Sequence, residues 1–531
     1  MPRRGADRRG GALRGLLLVV VTDRGRCRGD LLGSCEAALR GGATAILLRD
    51  RDLPRAERRR VARRLRSITV RYGATLLVHT DAALAREVDA DGVHLDSRAT
   101  PAEIRAARRI VGRDRLVGVS AHSVEEVRGA EAHADYAFLG PVGRTRSHPG
   151  LPGTGWQAFV DSGNAVRLPL VAVGGATPRR IARARIPAGG PRVAAIDALT
   201  AVPDPAAAAG AMLAAQAGCG RLRREAVPVA GDERSLVAGF LGRMGGVPDL
   251  ALGPGDDAVV LGRGGLAVAV DLTIEGIHYD EGTPARAVGF KAAGRALSDL
   301  AAVGAEPLGL MVGLAVRRGR GAGARARGLE AGLAAAARAV GARVLGGDTK
   351  ETPGTETVAV TALGRVDGPP PLPRSGGRPG DILFVTGPLG GSIHGRHLRP
   401  RPRIGIGLAL RRRGLATACI DVSDGLAADL HRLCGASGTG ALIDGWRVPV
   451  HRDARGTGDG AIPGAMFDGE DYELLFAAPP GKAAGIEARG VAGCRVFRVG
   501  RLVHRNAGVV VQYARGLEPL PDRGWIHFRA R

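Results

Sequence analysis

The sequence predicts an α/β protein in which an N-terminal (β/α)₈ TIM barrel is followed by a two-subdomain α/β region. In the first part, short aliphatic segments alternate with Ala- and Arg-rich segments that have helical character. The alternation stops at 217–231, and a Gly- and Asp-rich α/β pattern then continues to the C-terminus. A chain of 531 residues is too long for one hydrophobic core, so more than one domain is expected.

The barrel is assigned to residues 12–216. Helical stretches such as 55–70, 101–111 and 123–132 lie between its strand candidates. Eight strands with helical crossovers in about 200 residues are typical of a TIM barrel, although an open doubly wound sheet would show a similar alternation. The eight strand candidates are LLLVVVTD, ATAILLRD, TLLVHT, ADGVHL, RLVGVSA, ADYAFLG, LPLVAVGG and VAAIDAL.

The second region is expected to begin after a linker at 217–231, where Gly, Arg and Pro accumulate. A Gly- and Pro-rich stretch at 366–380, VDGPPPLPRSGGRPG, divides the region in two. The predicted subdomains are therefore 232–366 and 367–531.

The net charge of +24 is the most unusual bulk property of the chain. All but three of the 76 basic residues are arginines, the exceptions being Lys291, Lys350 and Lys482. These arginines are spread along the chain, and aromatic residues that could stack on bases make up only 3%. We therefore attribute the charge to an Arg-rich composition and expect no nucleic-acid partner. An Arg-rich nucleic-acid-binding protein on a degenerate enzyme scaffold is the alternative from another class.

The cysteines and the apolar segments predict a cytoplasmic protein without a membrane partner. Six cysteines occur without a CxxC pair, as expected for reduced thiols in a large chain. The apolar run near the N-terminus ends at Thr22 and Asp23 like a buried strand, and it lacks a signal-peptide cleavage pattern. No run reaches the roughly 18–20 apolar residues that a membrane span requires.

Acidic residues recur beside glycines at predicted strand ends in the second region. Carboxylates gathered at strand ends repel one another unless cations lie between them, and hard oxygen ligands suit Mg²⁺ shared with substrate phosphates. The pattern therefore predicts a site for magnesium and a phosphorylated substrate. The acidic segments are GPGDD (253–257), AVDLTIEGIH (269–278), ALSDLAAVGA (296–305), LGGDT (345–349), DVSDG (421–425) and DGEDYEL (468–474).

In this order and spacing the acidic segments resemble the motifs of thiamine-monophosphate kinase, a PurM-like family related to aminoimidazole ribonucleotide synthetase and selenophosphate synthetase. The resemblance covers about 232–528. It implies two α/β subdomains, a homodimer formed by the N-terminal subdomains, and nucleotide bound near that interface. It also implies several Mg²⁺ ions, ATP as co-substrate, and transfer of the ATP γ-phosphoryl group to thiamine monophosphate to give thiamine diphosphate.

The resemblance also assigns roles to individual positions. Gly347, Asp348, Arg374 and Ser423 would contact ATP, and Asp424 is the principal catalytic assignment. His278, Glu470 and Trp525 would hold thiamine monophosphate, whose cationic ring is favoured over an indole face. The implied metal ligands are Asp257, Asp271, Asp299, Asp348, Asp421 and Asp424.

Each assignment has a structural alternative. Asp421 and Asp424 could cap the helix that starts at Leu426, and Trp525 could be a packed C-terminal anchor. The chain also departs from the family pattern. Ala269 and Val270 replace hydroxyl residues before Asp271, so one metal ion would lose a side-chain ligand.

The barrel resembles thiamine-phosphate synthase and its relative, the TenI-like thiazole tautomerase. The synthase joins a pyrimidine pyrophosphate to a thiazole phosphate and gives thiamine monophosphate, the substrate of the kinase. The fusion would thus be bifunctional and join consecutive reactions. The matching segments are VVTDR (20–24), GATAILLRDRDL (42–53), ADGVHL (90–95), VGVSAHSVEE (117–126), ADYAFLGPV (134–142), TRSHPG (145–150) and VAVGGATPRRI (171–181).

The barrel resemblance implies a substrate-binding set and an acid/base residue, His122. Several positions differ from the synthase pattern: Leu47 and Arg51 replace Gln and Lys, His79 replaces Asn, and Asp197 replaces Ser. Position 99, where the synthase has a Mg²⁺-binding carboxylate, is Ala. The implied substrate-binding residues are Arg49, Arg51, Thr145, Ser147, Gly174 and Gly175.

These departures leave three interpretations of the barrel open: a synthase, a thiazole tautomerase that needs one acid/base group, and a barrel without activity. For the second region, a kinase fold with a different phosphate acceptor is the alternative. The GEDYEL segment and the C-terminal GWIHF segment favour the thiamine kinase.

Overall fold

The fold was analysed in a computed structural model of the chain. It describes residues 4–145, 153–184, 190–218, 239–240, 249–262, 265–454, 461–514 and 516–525. Among these residues, no helix is both long and apolar enough to cross a membrane.

Strands occur in three sheets. The barrel strands are β1 (Leu18–Val21), β2 (Ala45–Leu48), β3 (Thr75–His79), β4 (Gly92–Leu95), β5 (Leu116–Ala121), β6 (Tyr136–Leu139), β7 (Leu170–Val173) and β8 (Arg192–Ala195). The second sheet comprises β9 (Leu250–Leu252), β10 (Val259–Leu261), β11 (Leu266–Ile274), β12 (Glu306–Arg317), β13 (Arg343–Thr352) and β14 (Thr357–Arg365). The third comprises β15 (Ile382–Val385), β16 (Ala418–Val422), β17 (Thr439–Asp444), β18 (Glu473–Ala478), β19 (Phe497–His504), β20 (Val509–Tyr513) and β21 (Gly516–Pro519).

Helices follow most strands of the first region and pack on the sheets of the second. Those of the first region are α1 (Arg4–Arg14), α2 (Leu31–Gly41), α3 (Arg55–Tyr72), α4 (Ala82–Glu87), α5 (Pro101–Val111), α6 (Val124–Ala130), α7 (Trp156–Ala165), α8 (Pro178–Arg183), α9 (Asp197–Thr200) and α10 (Pro205–Ala217). Those of the second are α11 (Ala285–Ala302), α12 (Ala322–Ala339), α13 (Ile404–Arg412), α14 (Leu426–Ser437), α15 (Ala461–Phe467) and α16 (Pro480–Arg489).

The first eight strands form the closed barrel that the alternation predicts. They pair in parallel in chain order, and β1 closes the sheet against β8 through Leu18 and Val193. Their short aliphatic runs are almost entirely buried, because a parallel barrel sheet is covered on both sides. Helix starts are fixed by side-chain caps, of which Thr100 and Glu103 at α5 form a reciprocal capping box. The (β/α)₈ prediction is confirmed, and the open-sheet alternative is wrong.

The chain divides into two compact units. The first contains residues 1–225, 439–446 and 502–520, and the second contains 226–438, 447–501 and 521–531. The barrel lies in the first unit, and the acidic segments of the second region lie in the second unit.

The second sheet has the strand order β13-β12-β14-β11-β10-β9. One face is covered by α11 and α12, whose Leu297 and Leu333 join a core with Ala269 and Val360. Alternate residues of β11 point to the opposite face, where Val270 is 69% exposed. The N-terminal subdomain is therefore a sheet with helices on one side and, on the other, an apolar face that none of the described elements covers.

The third sheet has the order β16-β18-β15-β19-β17-β20-β21. Its strand β16 ends at Val422, so the DVSDG segment begins on this strand and continues into the turn before α14. Gly425 in that turn has a φ of 109°, which is strained for residues with a side chain. This tight turn fixes where Ser423 and Asp424 lie.

Candidate active sites

Three of the predicted metal ligands converge in the second unit. One carboxylate oxygen each from Asp257, Asp299 and Asp421 lies within 4.8 Å of the others. They come from separate elements: the turn after β9, helix α11 and strand β16. Three chain segments, 42 and 122 residues apart in sequence, thus bring three acids to one point, an arrangement suited to a hard cation.

Electrostatics make this acidic cluster (Asp257, Asp299 and Asp421) unfavourable by itself. Burial and the nearby charges of Asp421, Asp271 and Asp257 raise the pKa of Asp299 well above its usual range. Burial and the charge of Asp257 likewise raise the pKa of Asp421, against a 2.7 Å hydrogen bond donated by Ser298 Oγ. A divalent cation would remove this repulsion, so the donor set fits Mg²⁺.

Arg374 contacts the acidic cluster directly. Its Nη2 lies 2.5 Å from Asp257 Oδ1, and its Nε lies 3.2 Å from the other oxygen. Its backbone N–H donates to Asp256 Oδ1 at 2.6 Å. The guanidinium predicted to contact ATP therefore stands beside the predicted metal site, where a polyphosphate could meet both.

Asp271 lies near the cluster but has its own cation. Arg295 of α11 binds both of its oxygens, at 2.8 and 2.9 Å. Asp271 and Asp299 interact electrostatically, since the charge of Asp271 contributes to the raised pKa of Asp299. Asp271 is thus a neighbour of the three-carboxylate group rather than one of its members.

Asp424 is held in the turn after β16 by a second ion pair. Arg432 Nη1 lies 2.5 Å from Asp424 Oδ2 and 2.6 Å from Asp429 Oδ1. Asp429 in turn accepts hydrogen bonds from the backbone N–H groups of Ser423 and Asp424, both at 3.0 Å. Burial raises the pKa of Asp429 to about 7. This network fixes the turn and places Asp424 outside the three-carboxylate group.

Asp348 is placed differently from the other predicted ligands. It is 71% exposed and pairs with Lys350 at 2.8 Å. Across the sheet, Asp348 of β13 is aligned with Gly313 of β12, Ala359 of β14 and Leu272 of β11. Aligned residues share a face of a sheet, and Leu272 lies on the uncovered face, so the Asp348 side chain lies there too. The neighbouring Gly347 is required sterically, because an added Cβ would lie 1.9 Å from the carbonyl oxygen of Val312.

The predicted thiamine-phosphate residues His278 and Glu470 meet at a buried lysine that the sequence analysis did not single out. Lys291 Nζ donates to the carbonyl oxygen of His278 at 2.5 Å and to Glu470 Oε2. Glu470 adopts a φ of 65°, a strained value for a residue with a side chain. Although burial opposes it, the cationic neighbours Lys291 and Arg295 lower the pKa of Glu470 to about 2.

Trp525 is brought to the same region by the backbone. Its N–H donates to the carbonyl oxygen of Asp424 at 3.1 Å, and its side chain is 53% exposed. The indole of Trp525 is thus half-exposed beside the DVSDG turn.

The low pKa of Glu470 predicts a loss of stability in acid. Its folded-state pKa of about 2 lies below the ordinary 4.5, so its stabilisation is present above pH 4.5 and is lost as the pH falls toward 2. From pH 6 to 3.5 we expect Glu470 to account for a loss of about 1.4 kcal/mol in unfolding free energy. Urea unfolding of wild type and Glu470→Gln at both pH values measures this loss of unfolding free energy. If the variant loses as much unfolding free energy as wild type between the two pH values, the ion pair of Glu470 is not its cause.

The barrel carries a cavity of about 500 Å³ at the carboxyl ends of its strands. Apolar residues such as Leu47 and Phe138 form part of the wall. Its charged lining comprises four arginines and one carboxylate: Arg26, Arg49, Arg144, Arg180 and Asp197. The excess of positive charge suits an anionic ligand.

Five of the seven predicted barrel residues line this cavity, and Arg51 is not among its lining residues. Arg49, His122 and Thr145 line it, as do Gly174 and Gly175, whose φ values are 87° and 69°. His122 Nδ1 lies 2.7 Å from the carbonyl oxygen of Gly140, so Nδ1 carries the proton and Nε2 can act as a base. Ser147 lies outside the described residues.

Two buried histidines join the barrel wall. Arg51 Nη2 lies 3.3 Å from His79 Nε2, and burial lowers the pKa of His79 to about 3. His94 Nε2 lies 3.0 Å from Ser120 Oγ, and burial lowers the pKa of His94 well below its usual range. Both rings are therefore neutral hydrogen-bonding groups.

The barrel residues do not fit the Mg²⁺ site that the synthase resemblance implies. Position 99 is Ala, and carboxylates around the cavity are matched to arginines. Asp197 pairs with Arg26, Asp23 Oδ2 lies 3.4 Å from Arg49, and Asp96 Oδ2 lies 3.6 Å from Arg51. Within the described part of the barrel, no three potential ligands converge. Arginines supply the positive charge here.

Sequence reasoning found the acids and Arg374 but missed the other cations, Lys291, Arg295 and Arg432, and the hydroxyl of Ser298. One signal was available for Lys291: it is one of three lysines in a chain whose other basic residues are arginines. A second signal in the sequence was a helical spacing of polar residues, which places them on one face of the otherwise buried helix α11. These residues are Lys291, Arg295, Ser298 and Asp299.

Family models match both parts of the chain. The model described as thiamine monophosphate synthase matches residues 18–199. The models for the N-terminal and C-terminal domains of AIR synthase related protein match residues 255–366 and 378–512. The boundary between the two matched regions of the second part falls within the Gly- and Pro-rich segment at 366–380.

Individual relatives show the same division. Thiamine-monophosphate kinase of Rhodopirellula baltica is 36% identical over 289 residues, covering 52% of this chain and 90% of the relative. Thiamine-phosphate synthase of a Roseiflexus species is 37% identical over 202 residues, covering 37% of this chain and 84% of the relative. A solved structure, AaThiL complexed with AMPPCP and TMP, is 26% identical, with a TM-score of 0.48 and coverage of 56% and 97%. The chain therefore belongs to the thiamine-phosphate synthase family over its barrel and to the thiamine-monophosphate kinase family over its C-terminal region.

Proposed function

We propose that the C-terminal region transfers the γ-phosphoryl group of ATP to thiamine monophosphate and that the barrel forms thiamine monophosphate. The observation that carries the kinase proposal is the convergence of Asp257, Asp299 and Asp421 beside Arg374. In phosphoryl transfer the protein contributes mainly positioning and charge stabilisation, which is what such a constellation supplies.

The residues divide the work between the two substrates. Arg374 is placed to bind phosphate oxygens next to the acidic cluster. Glu470 and the His278 turn form the acceptor side, with Trp525 offering a face for the cationic ring. Arg432 holds Asp424 in the turn between the two sides. These groups would align acceptor and donor for in-line transfer.

Mg²⁺ fits the acidic cluster by the chemistry of its donors. Asp257, Asp299 and Asp421 would hold it, with Asp271 and Asp424 as neighbouring carboxylates. When bound, Mg²⁺ supplies neutralisation of the polyphosphate charge.

For the barrel, the proposed reaction joins a pyrimidine pyrophosphate to a thiazole phosphate. The cationic cavity supports this, since Arg49 lines it and Arg51 contacts His79 of its wall, so both would bind the phosphates. The glycines at 174 and 175 allow close backbone approach. The second candidate is the thiazole tautomerase, which His122 favours because its Nδ1–Gly140 contact leaves Nε2 as the base.

A coupled assay tests both proposals. The purified chain is incubated with ATP, Mg²⁺ and thiamine monophosphate, and thiamine diphosphate is measured. Pyrimidine pyrophosphate and thiazole phosphate then replace thiamine monophosphate, and a thiazole tautomer is supplied in a parallel reaction. Absence of thiamine diphosphate in the first reaction would exclude the kinase proposal.

We further propose a homodimer that covers the open face of the second sheet. Val270, Leu272, Met311 and Leu345 are exposed there, and a contiguous apolar patch of this kind is unusual on a monomer. Val270 and Met311 align with the same residue of β14, Thr361, so they lie in one row. A second copy would bury this patch and lie against Asp348, which gives that predicted ligand a role across the interface.

Charge placed on this face should prevent dimerisation. We expect Val270→Glu to give a monomer, because a carboxylate buried in an apolar interface costs several kcal/mol. Light scattering after size-exclusion chromatography measures the mass, and Val70→Glu on barrel helix α3 is the control, since Val70 is 54% exposed. A dimeric Val270→Glu variant, or a monomeric wild type, would contradict the proposal.

A further inference from the structure

A polar stripe runs along the buried helix α11. Lys291, Arg295, Ser298 and Asp299 lie on one face, whereas most other residues of this helix are in the core. The C-terminal end of the stripe meets the acidic cluster through Asp299 and through the Ser298–Asp421 hydrogen bond. Its N-terminal end meets the proposed acceptor side through Lys291.

Lys291 uses every hydrogen-bond donor of its ammonium group. Nζ donates to the carbonyl oxygen of His278 at 2.5 Å, to His397 Nδ1 at 2.8 Å and to Glu470 Oε2. An ammonium has three N–H groups, so none is left for a ligand. The residue is completely buried, and it therefore acts through the groups that it binds.

The three acceptors belong to three separate parts of the second unit. His278 lies in the turn after β11, His397 lies in a 3₁₀ helix, Arg396–Leu398, and Glu470 lies in the loop before β18. Lys291 and Glu470 are 179 residues apart in sequence. One charged group thus links three segments that are far apart in sequence. Its contact with Glu470 also helps to hold that residue in its strained backbone conformation.

The site discriminates lysine from arginine. The planar guanidinium is larger and carries five N–H groups, so it cannot replace a compact ammonium among three acceptors without displacing them. In a chain where all but three basic residues are arginines, a lysine at this position indicates a geometric requirement.

We infer that Lys291 is a positioning residue for the phosphate acceptor, fixing Glu470 and the His278 turn where thiamine monophosphate binds while leaving the ATP side unaffected. This inference rests on the proposed kinase function. Arg295, which approaches Glu470 Oε1 at 3.6 Å and binds Asp271, lies between the two sides. Lys291 contacts neither the acidic cluster nor Arg374 in any described interaction.

The test is steady-state kinetics of the full chain with thiamine monophosphate and ATP varied separately. For Lys291→Met we expect the KM for thiamine monophosphate to rise about tenfold, with the KM for ATP changed less than about twofold. Lys291→Arg should keep the charge and restore the KM only in part. Lys482→Met is the control, because Lys482 is an exposed lysine that donates to the carbonyl oxygen of Gly414.

The possible outcomes separate this inference from the proposed function. A wild-type chain that does not phosphorylate thiamine monophosphate overturns both. An active wild type with equal changes in both KM values, or with none, overturns the role of Lys291 alone. If Lys291→Met does not fold, Lys291→Arg, which keeps the charge but not the compact ammonium, must itself show the selective rise in the KM for thiamine monophosphate, and a wild-type KM in that variant overturns the inference.

Discussion

Replacing Asp421 by Asn is expected to lower kcat for phosphoryl transfer by about 10³-fold, equivalent to about 4 kcal/mol of transition-state stabilisation. Asp421 shares a site with Asp257 and Asp299, and an amide there would remove one anionic ligand while retaining the shape. The hydrogen bond from Ser298 can be kept, because the amide oxygen is also an acceptor. A coupled ADP-release assay at saturating ATP and Mg²⁺ measures this effect.

The same substitution should stabilise the metal-free protein. Burial and the charge of Asp257 raise the pKa of Asp421, which means that the ionised form is unfavourable in the fold. Removing that charge is expected to raise Tm by about 2–4 °C without Mg²⁺. Mg²⁺ should stabilise wild type more than the variant, because only wild type has the full set of carboxylates.

Two comparisons make this prediction specific. Asp424→Ala should also lower turnover by orders of magnitude while the fold survives, but it should not raise Tm, since Asp424 pairs with Arg432. Asp114→Asn, on the barrel, is the control for an ordinary surface acid, because Asp114 pairs with the adjacent Arg115. Wild-type turnover in Asp421→Asn would show that the cluster is not the metal site.

The parts of this structure that were predictable from sequence depend on local pattern. The eight barrel strands were visible because each is a short, mostly aliphatic run that ends near a polar residue or at glycine. Asp257, Asp299 and Asp421 were identifiable because each stands in a distinctive acidic segment. Such patterns indicate where strands end and which face of a helix a residue occupies. The expectation that these three acids share a site was based on them.

The parts that were not predictable depend on register and on long-range pairing. Asp348 stands in the LGGDT segment like the other acids, yet β13 turns its side chain to the uncovered face. A register irregularity between Leu310 and Met311 contributes to this placement, and it has no signature in the sequence. The pairing of Asp271 with Arg295 likewise depends on how α11 packs on the sheet.

The second large effect is expected in the barrel. Arg49 lines the cavity after strand β2, and Arg51, two residues further on, contacts His79 of the cavity wall. Replacing both by Gln removes two positive charges from a site where no carboxylate cluster supports a metal ion among the described residues. We expect formation of thiamine monophosphate to fall by about 10²-fold, because each charge-assisted hydrogen bond to phosphate contributes roughly 1.5–3 kcal/mol.

The kinase supplies an internal reference for this barrel variant. The double variant should phosphorylate added thiamine monophosphate at the wild-type rate. If only the two-step reaction, which starts from the pyrimidine and thiazole substrates, becomes slower, the defect lies in the barrel. Arg60→Gln is the matched control, since Arg60 is an exposed arginine of α3. Binding of inorganic pyrophosphate, titrated calorimetrically in the presence of EDTA, adds a direct measurement. Because arginines outnumber carboxylates in the cavity, we expect wild type to bind pyrophosphate without a divalent cation and the variant to bind it weakly. If wild type binds pyrophosphate only after Mg²⁺ is added, the arginines alone do not neutralise the ligand.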